Sequence, residues 1–135
     1  MKSKAPIVSY LIFPVMLILP IMAIIRITQS IDIIYVVGYL GVISVITVFA
    51  YKSDKRKAES NSWRTPEATL HLYEFLGGWA AGFCSQRIFR HKISKKGYQS
   101  GFWFIAVIHQ YMAFDYMQDW KFARAAFQFI EAILK

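Results

Sequence analysis

Cysteine is nearly absent from this chain. Its one cysteine, Cys84, excludes an intrachain disulfide and any cysteine-based metal site. It lies in an apolar stretch and reads as a small buried hydrophobe. Acid is scarce as well, with eight Asp and Glu against sixteen Lys and Arg in 135 residues, and no acid at all from Arg87 to Lys96. No HExxH or comparable zinc signature occurs. Charge of either sign is missing from two long runs, Ile7–Ile25 and Ile33–Tyr51. These absences argue against a disulfide scaffold, a cysteine metalloprotein and an ordinary soluble domain, for which about 25% charged residues is usual against 18% here.

What is present is apolar: 56% of residues are hydrophobic and 17% aromatic. The run Ile7–Ile25 would measure about 28 Å as a helix, enough to cross a bilayer core. It is longer than a signal h-region, and Arg26-Ile27-Thr28-Gln29 offers no small-residue cleavage site, so it reads as a retained span. Pro14 and Pro20 are tolerable there as kinks. Ile33–Tyr51 is the second span, and the short turn Arg26–Asp32 makes the two an antiparallel hairpin. A third span is expected near Phe102–Phe114, where His109 and Gln110 should find an interhelical partner. Tyr116–Leu134 has apolar residues at alternating spacings of four and three, the pattern of an amphipathic helix packed on the bundle or lying in an interface. Trp63, Trp79, Trp103 and Trp120 fall where interfacial anchors are usual.

Between these runs, ten of the sixteen basic residues lie from Lys52 to Lys96. Positive loops stay in the cytoplasm. With Lys2 and Lys4 they put the N-terminus and both basic blocks inside. Thr65-Pro66-Glu67 is a helix start: a capping residue, a proline suited to the first position, and an acid for the dipole. The helix it opens meets Gly77-Gly78, where a break is expected. Leu70–Cys84 is too short and too polar to cross, so it reads as a re-entrant or interfacial segment that returns to the cytoplasmic side. The fold class is therefore an all-α membrane protein: about three transmembrane helices, this short segment, and a C-terminal amphipathic helix. It divides into a hairpin (1–51), a basic core (52–100) and a third helix with its amphipathic tail (101–135).

The pieces SDKRKA (Ser53–Ala58), WRTPE (Trp63–Glu67), Leu70-His71, LGGW (Leu76–Trp79) and SQRIFRHKISK (Ser85–Lys95) occur in fixed order. Through them the stretch Asp54–Tyr98 resembles the DUF1294 family, whose function is unknown. The family has Trp-Pro-Gly after the glycine pair, where this chain has Trp79-Ala80-Ala81. The resemblance implies a multi-pass protein of the bacterial inner membrane and implies no activity.

Two sets of side chains are candidates for chemistry. Glu67, His71 and Glu74 share one helix face at spacings of four and three. With His91 they could form a catalytic constellation on a phosphate-bearing or lipid substrate, or serve as counter-charges to the basic blocks. Arg64, Arg87, Arg90, Lys92 and Lys95 are candidates for binding anionic head groups, a phosphorylated ligand or a protein partner; Arg87, Arg90 and His91 would share a face if helical. Nucleic acid is a further partner class for such charge. No metal site and no cofactor are identifiable, and oligomeric state is not encoded in any recognisable pattern.

Overall fold

The computed structural model describes residues 7–135, all of whose regular structure is helical. Lys2 and Lys4, on which the N-terminal orientation rests, lie outside the described residues. Helix α1 (Ile7–Ile27) contains Pro14 and Pro20. Proline has no N–H, so Pro20 leaves the Met16 carbonyl without its helical donor. Gln110 supplies one: its Nε2 donates to Met16 O at 2.7 Å. Of the two polar residues expected to bond between helices, Gln110 does so and repairs a proline break, while His109 bonds to the Ile105 carbonyl of its own helix.

Asp32 caps α2 (Ile33–Glu59) by accepting from Ile34 N–H at 2.9 Å. The helix continues through the first basic block to Glu59, 27 residues or about 40 Å. Helix α3 (Glu67–Tyr73) leads into a wide turn, α4 (Glu74–Gly78), and then into α5 (Trp79–Ile88). The break falls at Gly77, whose φ of 113° is open to glycine and strained for any residue with a Cβ. The carbonyl released beside it, Leu76 O, accepts from Tyr39 Oη at 2.6 Å. Gly78 passes so close to α2 that a Cβ would overlap the Thr47 hydroxyl.

These contacts set the direction of the chain. Gly77 lies against Leu40, Gly78 against Thr47, Glu74 and Gln86 against Tyr51, and Thr65 and His91 against Asp54. The segment α3–α5 thus descends beside α2 from Asp54 to Leu40 and returns to Asp54, a depth of about 21 Å. Both of its ends sit at the basic end of the bundle.

Helix α6 (Lys96–Met117) starts at that end and runs alongside α1, and Arg26 binds the Tyr116 and Met117 carbonyls at 3.0 and 2.8 Å where both helices finish. Asp119 and Trp120 then take left-handed backbone (φ 56° and 58°) and turn the chain into α7 (Lys121–Leu134). The amphipathic element therefore begins at Lys121; Tyr116 and Met117 close α6. The buried Asp115 carboxylate holds the new helix by accepting from Phe122 N and Ala123 N at 2.9 and 3.0 Å. No residue of α7 is buried.

The apolar core is compact: Trp79, Phe83, Phe102, Ile105 and Ala106, with Phe13, Met16 and Leu17 of α1 packed on it. Trp79 is 4% exposed, so it is a core residue at the hairpin tip and no interfacial anchor, whereas Trp63 is 90% exposed. Cys84 faces outward on α5, contrary to its reading as a buried hydrophobe. Two helices, Ile7–Ile27 and Ile33–Glu59, are long and apolar enough to cross a membrane.

Candidate functional site

Polar side chains fill the space between α2, the hairpin and the start of α6 in two layers. The deeper layer centres on Glu74, which has no exposed surface. Its Oε1 accepts from the Tyr51 hydroxyl and, at 2.8 Å, from the Tyr98 hydroxyl. Its Oε2 lies 2.7 Å from His71 Nδ1. The His71 ring stacks on Tyr98 with centroids 4.3 Å apart. Gln86 Nε2 donates to Tyr51 at 2.9 Å, and Gln99 Nε2 donates to Gln86 Oε1 at 2.6 Å. Glycine makes the layer possible, since a Cβ on Gly82 would press Glu74 and one on Gly101 would press His71.

The second layer centres on Asp54, also without exposed surface. Its Oδ2 is 2.7 Å from His91 Nε2, 3.0 Å from Lys92 Nζ and 3.6 Å from Arg64. Its Oδ1 accepts from Thr65 N at 3.1 Å, which ties the start of the hairpin to α2. Glu67 sits above, 2.7 Å from Lys95 Nζ and 3.4 Å from Lys92 Nζ. Lys92 joins the layers, its ammonium 4.7 Å from the Tyr98 ring centroid. To bring His91 and Lys92 inward, Arg90 and Lys92 take left-handed backbone, φ 48° and 61°, which favours glycine. That strained turn persists because the ion pairs on Asp54 hold it.

Burial alone would raise the Asp54 carboxyl, but the hydrogen bonds and charges of His91 and Lys92 outweigh it and hold it below the usual carboxylate range. At Glu67 burial also pushes upward, and Lys95 and Lys92 win again. The sign of the pH dependence follows. Both folded-state values lie below the unfolded values of about 3.9 and 4.3. Their contribution to stability is therefore fully present above about pH 5 and is lost as pH falls through the folded values. The thermal midpoint in detergent is expected to drop between about pH 5 and pH 2, and Asp54→Asn should show a smaller drop.

The residues singled out in the sequence are divided by this arrangement. Of the four acid–base candidates, His71 and Glu74 meet in the deeper layer, while Glu67 and His91 belong to the second and touch Lys95 and Asp54 instead. Glu67 is a counter-charge; Glu74 faces no cation but two phenols and an imidazole. Of the five basic candidates, Lys92 and Lys95 are engaged by acids. Arg87 reaches α1, donating to Ser9 Oγ at 2.8 Å and to Phe83 O at 3.1 Å. Arg64 is half-exposed beside Asp54, and Arg90 is exposed. Helix α5 ends at Ile88, so Arg87, Arg90 and His91 do not share a helical face. Among the described residues, no group of three His, Cys, Asp or Glu is placed to hold a metal.

Asp54, Thr47, Tyr51, Gln86, Tyr98 and Gln99 were not legible as site residues in the sequence analysis. A signal did exist: Thr47, Tyr51 and Asp54 stand at i, i+4 and i+7, a polar stripe on an otherwise apolar helix.

Residues 44–98 match the family model DUF1294, a protein of unknown function. This segment is similar to the DUF1294 family. Its limits coincide with the unit just described: it opens at the α2 turn carrying Thr47 and closes on Tyr98. The matched region takes in the whole hairpin and, except for Gln99, both polar layers. No curated protein and no solved structure matches the chain.

Proposed function

We propose that this is a multi-pass membrane protein whose DUF1294 region is a non-enzymatic, re-entrant module that binds anionic lipid head groups at the cytoplasmic face. The carrying observation is how its charges are sorted. The two buried carboxylates of this region, Asp54 and Glu74, are spent on internal partners, while Lys52, Arg56, Arg90 and Lys96 stand exposed at one end of the bundle, none in an ion pair among the described residues. Along α2, away from that end, the outer face is apolar and open: Val37 is 58% exposed and Phe49 65%, whereas Glu74 and Asp54 are enclosed. Apolar outside and polar inside is the arrangement a lipid solvent favours.

In this reading Ile7–Ile27 and Ile33–Tyr51 cross the membrane, and α6 makes a third crossing parallel to α1. The last two turns of α2 emerge to carry Lys52 and Arg56 among the phosphates. The positive end faces the cytoplasm of a bacterial inner membrane. Glu74 and Asp54 have no surface with which to touch a substrate, so they act as pegs that lock the hairpin to α2.

Each exposed cation near an anionic leaflet contributes on the order of 1 kcal/mol, about fivefold in lipid retention. Exchange of Lys52, Arg56, Arg90 and Lys96 for Gln is expected to remove the preference for phosphatidylglycerol over phosphatidylcholine. Native mass spectrometry from mixed micelles, at two salt concentrations, reads this. An unchanged preference in the quadruple variant overturns the proposal, and retention of RNA by the wild type at low salt would move the phosphate partner to nucleic acid.

A further inference from the structure

A second site lies away from the basic end. Helices α1, α2 and α6 and the Gly77 break enclose a cleft of about 510 Å³, within the range of small-molecule pockets. Its walls are almost wholly apolar, with Ile24 and Met112 on facing helices, and no charged residue lines it. Four polar side chains line it: Tyr116 and Trp120 at the end beside Arg26, and His109 and Ser44 nearer the Gly77 break. His109 Nδ1 lies 2.9 Å from the Ile105 carbonyl, which can only accept, so Nδ1 carries a proton. With the proton on Nδ1, the neutral imidazole presents Nε2 as an acceptor, and Nε2 has no hydrogen-bond partner among the described residues. Ser44 on α2 lines the same cleft and makes no hydrogen bond among the described residues, whereas Thr47 donates to Ile43 O at 2.7 Å.

We infer that this cleft binds a neutral long-chain lipid alcohol. The apolar walls take an aliphatic body. No charged residue lines the cleft, and Arg26, over the Tyr116 ring at its end, is already taken up by Asp119 and two backbone carbonyls, which argues against a phosphate or carboxylate head. An unused imidazole acceptor and an unused serine hydroxyl suit one group that both donates and accepts, a hydroxyl. It donates to His109 Nε2 and accepts from Ser44 Oγ. Phe75 and Trp79 flank the imidazole, with centroids 6.1 and 6.2 Å away, and fix its plane.

The test compares 1-hexadecanol with hexadecane, added to the full chain in detergent and followed by native mass spectrometry. Hexadecanol should be retained at one per chain, and hexadecane about tenfold less. His109→Phe should weaken hexadecanol retention several-fold to tenfold and bring it level with the alkane. Ser44→Ala, a smaller change, should weaken it severalfold with the thermal midpoint unchanged. Ala113→Trp should block both compounds by filling the cleft. Equal retention of alcohol and alkane by the wild type, or hexadecanol retention unaffected by both His109→Phe and Ser44→Ala, overturns the inference. The lipid-phosphate reading stands apart from this result, because none of its cations lines the cleft.

Discussion

Asp54→Ala is expected to destabilise the fold by about 3–5 kcal/mol, because it removes the nearer of the two carboxylates that neutralise a buried ammonium. Lys92 is 9% exposed and sits 3.0 Å from Asp54, with His91 on the same oxygen. Glu67 lies farther from Lys92, at 3.4 Å, and already serves Lys95. The left-handed turn at Arg90 and Lys92 loses its restraint at the same time, and Thr65 N loses its acceptor. Thermal unfolding in a mild detergent measures the effect. A double variant, Asp54→Ala with Lys92→Met, separates causes: if the stranded charge dominates, the double variant is more stable than the single one. If the double variant is less stable still, the ion pair is not the source of the loss.

Glu74 gives the second large effect, and here the chemistry of the replacement matters more than its charge. Glu74→Ala strands two phenols and an imidazole in a buried layer, at about 1–3 kcal/mol for each unmet group. Tyr51 and Tyr98 can still bond each other across 2.5 Å, which limits the loss to about 3 kcal/mol. Glu74→Gln keeps an oxygen for both tyrosines. Its amide can donate to His71 Nδ1 once the imidazole proton moves to Nε2. That variant is expected to lose less than about 1.5 kcal/mol. A hydrogen-bonding peg tolerates the amide, whereas a residue needed as a base would not. Melting curves of the two variants side by side decide between them, and equal losses would contradict the peg.

Much of the fold is legible because local rules and the lipid-like composition agree. The uncharged runs mark α1 and α2, Thr65-Pro66-Glu67 marks the start of the hairpin, and Gly77-Gly78 marks its tip even without the proline that the family has there. The spacing of Glu67, His71 and Glu74 correctly puts them on one face, yet the face is then shared between two layers. That division is set by what stands opposite: Tyr51 and Tyr98 at one height, Lys92 and Lys95 at another. Partners separated by tens of residues leave no local mark. Asp54 is the clearest loss, since a single acid inside Lys52–Lys57 looks like a solvated charge, and only the return of His91 and Lys92 to its level makes it central. Trp79 and Cys84 misled for a related reason. Side chains near a helix break can face either way, and packing against Phe13 and Phe83 decided it for Trp79.

Cysteine labelling tests the central claim, that the DUF1294 region enters and leaves on one side of the membrane. With Cys84→Ser as background, single cysteines placed by Ser60→Cys, Ser94→Cys, Gln29→Cys and Gln118→Cys can be probed in intact cells with a membrane-impermeant maleimide. Ser60 and Ser94 flank the hairpin at the basic end, while Gln29 and Gln118 lie at the opposite end. The account predicts that positions 29 and 118 are labelled from outside, and that 60 and 94 are labelled only after the membrane is opened. Labelling of 94 from outside while 60 stays protected would mean that Leu70–Cys84 crosses the membrane, and would contradict it.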